Sequence, residues 1–376
     1  MASKAHVVVI GAGVIGLTNA VFLAEAGYIV TIIAAHVPGD ESIEYTSPFA
    51  GAHFRTHAPA SQPELCDWDI QTFKFWETLL LQEPPETCGI KMQISNHFWD
   101  TTAIHESLWW APHVQDFAQI LEFQDPVRSI NLSSPAHMQV KWAATSRAPS
   151  LDPNRYLVYL HERARRSGAI FFQSRLPMDG GFAKALEAAG GIARVVRPQT
   201  SGPEVFVNCT GLGAGRICGD DGMFPIRGQT VLVKGEAQAT RTRYHGGAIG
   251  EGETSYCIPR PGSGTTILGG TKEKGEWSEV PSEETKKTIL ERCSWMVPEL
   301  LTAEDGGFEV ISTQCGLRPG REGGPRVESE VIGSRKVVHA YGHAGGGYQS
   351  SIGSTRKVMK LVEEILSNDA AARPRL

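Results

Sequence analysis

Short apolar runs that close on glycine alternate along this chain with longer segments of helical spacing. Val7-Val8-Val9-Ile10 is a continuous apolar run, the mark of a strand buried on both faces. It leads directly into Gly11-Ala12-Gly13-Val14-Ile15-Gly16, after which apolar residues recur at Leu17, Ala20, Val21, Leu23 and Ala24 with the period of a helix. Residues 29–34 predict a second strand, residues 69–81 a helix, and Asp152-Pro153-Asn154 a helix start ahead of 156–166. Val205-Phe206-Val207-Asn208-Cys209-Thr210-Gly211 repeats the opening form of buried strand and glycine turn. Residues 226–234 alternate as a strand, and 255–259 and 265–270 flank the turn Arg260-Pro261-Gly262-Ser263-Gly264 as a pair of strands. A helix over 283–296, a late strand over 337–342 running into Gly345-Gly346-Gly347, and a closing helix over 350–366 complete the pattern. The stretch up to about Trp142, with His97-Phe98-Trp99 and Leu108-Trp109-Trp110, is aromatic and irregular and reads as an inserted substrate or interface lobe. Residues between 167 and 204 are weakly patterned, and no solenoid repeat is visible.

The opening glycines carry the first chemistry. Gly11 permits a tight turn, Gly13 lets the main chain approach a pyrophosphate, and Gly16 lets helix and strand pack closely. The N–H groups freed at the helix start then point at negative charge. A lone G-x-G-x-x-G is weak, but directly after a strand and opening a helix it is a dinucleotide signature. Such folds usually place an acid at the end of the second strand for the ribose. Here that place reads Ala34-Ala35-His36, so Asp40 or Glu41 would have to reach back.

Composition narrows the class. The 376 residues, 41% hydrophobic and 20% charged, describe a globular chain of two domains or one large one. A net charge of -5 gives no basic field for nucleic acid. No apolar run is long enough to span a bilayer, and no secretory signal precedes the first strand, so no membrane or nucleic-acid partner is expected. The seven Cys include no C-x-x-C pair; neither a disulfide framework nor a metal site is indicated, and a reducing compartment is the easier reading. The chain ends in Pro374-Arg375-Leu376, which resembles the S-K-L type of peroxisomal address; otherwise a cytoplasmic location is expected.

With these segments in place the sequence resembles the D-amino acid oxidase and D-aspartate oxidase family of flavoenzymes. The matching segments are VVVIGAGVIGLT, SPFAGAHF, VNCTGLGAG, PIRGQTVLVK, SYCIPRPG, LGGTKEKGEW, CGLRPGREGGPRVE and HAYGHAGGGYQSSIG, in the family's order and over most of the chain. GLRP followed by RxGGPRVE, and HxYGHxGGGYQ, are far more specific than the opening glycines, and the fungal-type D-amino acid oxidases look nearest. The resemblance implies non-covalent FAD and oxidative deamination of D-amino acids by oxygen, with α-keto acid, ammonia and hydrogen peroxide as products. It implies an α/β (mixed α+β) architecture: a Rossmann-like FAD-binding domain discontinuous over 1–60, 150–225 and 308–376, interleaved with an antiparallel β-sheet substrate domain over 61–149 and 226–307.

Site residues carry over by position. Arg318, in Cys315-Gly316-Leu317-Arg318-Pro319, sits where the family places the arginine that clamps the substrate α-carboxylate; a guanidinium presents paired donors that match a carboxylate as a fork. Tyr256 matches a tyrosine whose phenol donates to the same carboxylate, and Gly345 the position whose carbonyl accepts from the substrate amine. Tyr244 is the only tyrosine near a second, loop-borne position, on a stretch, 240–253, that does not align cleanly. For the cofactor the resemblance implies Gly11, Gly13, Val14, Ile15, Gly16, Thr46, Ser47, Ala50, Gly51, Gly211, Gly345, Gly346, Gly347, Tyr348 and Gln349. The α-hydrogen would leave as hydride to flavin N5, so no side-chain base is required, and three fixed points select one enantiomer.

The accepted side chain is a separate question. An acidic substrate needs a further cation for its distal carboxylate, and Arg241, Arg243, His53 and Arg55 are candidates. Leaving a buried arginine without its partner is costly, which favours a neutral or broad D-amino acid oxidase over a D-aspartate oxidase. The other readings are a glycine or sarcosine oxidase, which the GLRP motif opposes, a NAD-dependent dehydrogenase, which the missing acid opposes, and a cofactor-binding protein without turnover. Oligomeric state stays open: the aromatic lobe near Trp99–Trp110 could be a dimer face, a lid or plain core.

Overall fold

The computed structural model describes residues 5–101, 108–135, 138–246 and 253–372. The strands are β1 (His6–Ile10), β2 (Ile29–Ala34), β3 (Ile90–Trp99), β4 (Gln115–Ile120), β5 (Trp142–Leu151), β6 (Ile170–Gln173), β7 (Val205–Asn208), β8 (Met223–Lys234), β9 (Thr240–Tyr244), β10 (Thr254–Arg260), β11 (Thr265–Gly269), β12 (Glu273–Lys274), β13 (Val310–Arg321), β14 (Arg326–Ile332) and β15 (Arg335–Tyr341). The helices are α1 (Val14–Glu25), α2 (Pro63–Leu80), α3 (Pro85–Cys88), α4 (Val127–Ser133), α5 (Pro153–Arg166), α6 (Gly181–Val196), α7 (Ala214–Cys218), α8 (Glu283–Ser294) and α9 (Ser351–Ala372). None is long and apolar enough to cross a membrane among the described residues.

The chain divides into two compact units: Met1–Pro48, Leu157–Pro225 and Leu317–Leu376 form one, Phe49–Tyr156 and Ile226–Gly316 the other. Residues 49–60 thus belong to the second unit. In the first unit a six-stranded sheet has the order β14-β15-β7-β1-β2-β6. All neighbours but the β14–β15 edge pair are parallel, with Val7 opposite Val30 on one side and Val205 on the other. Because β1 is covered on both faces, its run is apolar at successive positions rather than at alternate ones. Val8, Ile10, Ile33, Phe206 and Val337 pack against Phe182, Leu186 and Ala189 of α6. Helix α1 is buried nearly all round, and it packs against α9 as well as the sheet.

The second unit holds a sheet of order β12-β8-β11-β10-β9-β3-β5-β4, with β13 also on β8. The pairs along that order are antiparallel except β3 with β9. Phe98, Val231, Val233, Cys257 and Leu268 meet Ile289, Cys293 and Met296 in its core.

Several expectations need correction. The stretch after α2 is built, not irregular: β3 and β5 pair over ten residues each, from Ile90–Leu151 to Trp99–Trp142. Their polar residues Ser95, Asn96, His97, Ser146 and Ser150 are buried, so alternation never showed. The weakly patterned 167–204 holds β6 and α6; Phe182, Ala185, Leu186, Ala189 and Ala193 do follow helical spacing, but Gly190-Gly191 obscured it. Helix α2 begins at Pro63, a favoured first-turn residue, rather than at 69. The stretch 240–253 starts as strand β9, not loop, and 247–252 lie outside the described residues.

Candidate active site

In the first unit, close main-chain approach dominates. Gly11 has φ +105°, and a Cβ there would lie 2.4 Å from the Cys209 carbonyl oxygen. A Cβ on Gly16 would lie 2.0 Å from the Gly11 oxygen, so only glycine lets α1 start against the turn. Gly13 caps α1 with no side-chain hydrogen bond, and the first turn carries no acidic residue, so the helix start keeps its positive end for an anion. The second glycine turn abuts the first: Cys209 N donates to the Ile10 oxygen at 2.8 Å, and Gly211 takes φ +56°. Burial pushes the Cys209 thiol far up, so it is a packing residue.

Three distant segments are tied to this turn by hydrogen bonds within the unit. Val14 N donates to Ser47 Oγ at 3.0 Å. A hydroxyl that accepts there keeps its own hydrogen for a bound anion. Thr46 Oγ1 donates to the Leu317 oxygen at 2.6 Å, which fixes the peptide preceding Arg318. Tyr348 Oη donates to the Ser47 oxygen at 2.9 Å. Arg318 itself is half-buried on β13, after the buried Cys315 and Leu317. Gly345 is exposed, in the short 3-10 turn Ala344–Gly346; Gly346 and Gly347 are half-buried, and Tyr348 and Gln349 are buried. A Cβ on Gly347 would lie 3.7 Å from Val14 Cγ1, so the glycine run returns to α1. Thus Gly11, Gly13, Val14, Ile15, Gly16, Thr46, Ser47, Gly211, Arg318 and 345–349 belong to one unit.

At the end of β2 the missing acid is replaced by a set of polar side chains. Asp40 turns back to accept from Val37 N and from Gln173 Nε2, both at 3.0 Å. Glu44 pairs with Arg175 at 2.5 Å and with His36 at 3.3 Å, contacts that hold its carboxyl below the usual range.

The other site residues, Ala50, Gly51, Tyr244 and Tyr256, lie in the second unit. A Cβ on Gly51 would lie 2.7 Å from Ile258 Cδ1. Tyr256 on β10 faces Gly269 on β11, and Cβ atoms on Gly269 and Gly270 would fall 2.2 Å from its Cζ and 2.6 Å from its Oη. The Gly-Gly pair therefore makes the bed for the Tyr256 ring, a signal readable once the two strands are paired. Tyr244, expected on a loop, ends β9: its ring stacks on Trp99 at 4.7 Å and its hydroxyl meets His97 Nδ1 at 3.1 Å. Burial raises the Tyr244 phenol, and the Arg55 guanidinium opposes that shift. Trp110 packs edgewise on Phe117, and Trp99 also meets Trp142, so these tryptophans are wall and core of the second unit. Residues 102–107 and Pro374-Arg375-Leu376 lie outside the described residues.

The glycine cradle fits a dinucleotide, and the profile of the FAD dependent oxidoreductase family matches residues 6–361. The chain belongs to that family. Relatives include the D-amino-acid oxidase of Fusarium vanettenii, 32% identical over 96% of this chain and 97% of its own length. The D-aspartate oxidase of Talaromyces thermophilus is 30% identical over 95% of each chain. The fold is shared with glycine oxidase from Bacillus cereus at a TM-score of 0.70 and 19% identity, over 96% of this chain and 95% of that one. Family membership makes FAD the dinucleotide, and Gly11, Gly13, Val14, Ile15, Gly16 and Ser47 the residues that would hold its phosphates. Gly11→Ala and Gly16→Ala are each expected to give protein purified without the yellow flavin absorbance; variants that keep a full complement of FAD would contradict the cradle.

Proposed function

We propose that this flavoenzyme oxidises D-amino acids to imino acids, which water hydrolyses to α-keto acids and ammonia. The carrying observation is the bond from Thr46 Oγ1 to the Leu317 oxygen, which ties Arg318 to the same segment that caps the nucleotide-binding helix. FAD, when bound, supplies the acceptor at N5 for the α-hydrogen, which leaves carbon as hydride. Arg318 grips the α-carboxylate as a fork and fixes the substrate's orientation. The exposed Gly345 carbonyl accepts from the amine. Tyr256, its ring seated on Gly269 and Gly270, supplies a phenolic donor. With the hydrogen leaving as hydride, no residue need act as a carbon base, and the side chains of the cradle act by positioning. Oxygen serves as terminal acceptor and gives hydrogen peroxide. The fungal D-amino-acid oxidase supports this reading over a glycine oxidase, whose likeness carries the fold alone.

Arg318→Ala is expected to raise KM steeply and to lower kcat, with kcat/KM for the best D-substrate down by about 100-fold or more, the scale of a lost charge-assisted pair. Peroxide formation during turnover reports both enzymes, and near-wild-type kinetics in the variant would refute the clamp. Peroxisomal residence is part of the same proposal and rests on Pro374-Arg375-Leu376. Deleting 374–376 should release a fluorescently tagged protein from peroxisomes to cytosol; an unchanged distribution would reject the address.

A further inference from the structure

Of the three arginines that could meet a distal carboxylate, two have carboxylate partners among the described residues and one does not. Arg241 and Arg243 are paired: Arg241 Nη1 meets both Glu299 carboxylate oxygens, at 2.8 and 3.0 Å, and also the Met296 oxygen. Arg243, fully buried, has Asp100 at 2.9 Å and Ser134 Oγ at 3.2 Å. Arg55 differs. Among the described residues no carboxylate lies within ion-pair distance of it, and its buried Nη1, like Arg241 Nε and Arg243 Nη2, has no hydrogen-bond acceptor.

What surrounds Arg55 is aromatic and neutral. Its guanidinium carbon lies 5.8 Å from the Tyr256 ring centroid and 6.0 Å from that of Tyr244, within the range of cation–π attraction. It lines a narrow recess, partly open to solvent, with Phe54, His97, Trp110 and Ser146. Both nearby imidazoles are held neutral: burial first, and then the Arg55 charge, push His97 down to about 3 and His53 well below its usual value. Ring faces and uncharged imidazoles attract a cation weakly compared with a carboxylate, and a half-buried guanidinium with an idle N–H favours an anionic ligand. The sequence reading favoured a neutral substrate because a buried arginine without its partner is costly; Arg55 is half-buried and lacks a carboxylate partner among the described residues.

We propose that Arg55 is the cation that receives the distal carboxylate of an acidic D-amino acid, with D-aspartate or D-glutamate as the favoured substrate class. This rests on the D-amino acid oxidase reading above and adds the specificity-determining residue to it. A dicarboxylate substrate supplies the counter-charge that the described residues do not. Tyr244 and Tyr256 brace the guanidinium from their ring faces, so its fork is set before substrate arrives.

The discriminating pair is D-aspartate against D-asparagine, which have the same shape and differ by one charge. Holoenzyme is expected to prefer D-aspartate in kcat/KM, and Arg55→Leu to lower the aspartate-to-asparagine ratio by about 100-fold, the scale set by an interfacial charge pair. Arg55→Lys should recover part of the ratio, since it restores charge without the fork. If Arg55→Leu does not fold, wild-type holoenzyme alone decides: succinate should perturb the flavin spectrum at a far lower concentration than butyrate. A ratio unmoved by Arg55→Leu, or butyrate binding as tightly as succinate, overturns the proposal. Failure to oxidise any of D-alanine, D-asparagine, D-aspartate and D-glutamate would instead overturn the D-amino acid oxidase reading itself.

Discussion

Close main-chain approach at the first strand-to-helix turn is the constraint on which the first unit depends. Gly11 and Gly16 touch across that turn, and Gly11 also meets the Cys209 carbonyl of the neighbouring glycine turn. Side chains at these positions would push strand, helix and second turn apart. With glycine at both positions, the start of α1 lies in the turn with no acidic residue in its first turn. The Thr46–Ser47 pair then links that helix start to Leu317 and Tyr348, 271 and 301 residues away in sequence. The phosphate cradle and the placement of Arg318 are therefore parts of one hydrogen-bonded arrangement.

The second unit solves a different problem, that of holding buried charge. Arg243 and His245 share the Asp100 carboxylate at 2.9 Å each, and His245 also meets Ser255 Oγ at 2.8 Å. That network gives the buried Arg243 a carboxylate partner and serves the sheet. Arg55 stands beside the rings of Tyr244 and Tyr256 and near His53 and His97, two imidazoles that burial holds well below their ordinary pKa. The proposed ligand role of Arg55 rests on this contrast between an arginine with a carboxylate partner and one without on the same unit.

Much of the first unit was legible in the sequence because its physics is local. Apolar runs closing on glycine marked β1 and β7, and the spacing at Leu17, Ala20, Val21, Leu23 and Ala24 marked α1. The second unit was less legible. Strands β3 and β5 bury Ser, Asn and His along with their apolar residues, and such positions acquire meaning only after the strands pair. Arg55 was one of four candidates with nothing in the chain to rank them; its distinction is the absence of a carboxylate partner among the described residues, a property of three-dimensional packing. The role of Gly269 and Gly270 beneath Tyr256 was hidden for the same reason.

The central claim is that one mirror form of an amino acid gives up its α-hydrogen to the bound flavin. Anaerobic mixing of holoprotein with D-aspartate, with D-alanine, with their α-deuterated forms and with the L-enantiomers tests this most directly. Bleaching of the yellow absorbance by the D-forms, slower with deuterium at the α-carbon, and a stable yellow colour with the L-forms is the predicted result. Equal bleaching by both enantiomers, or none by any of them, would contradict it.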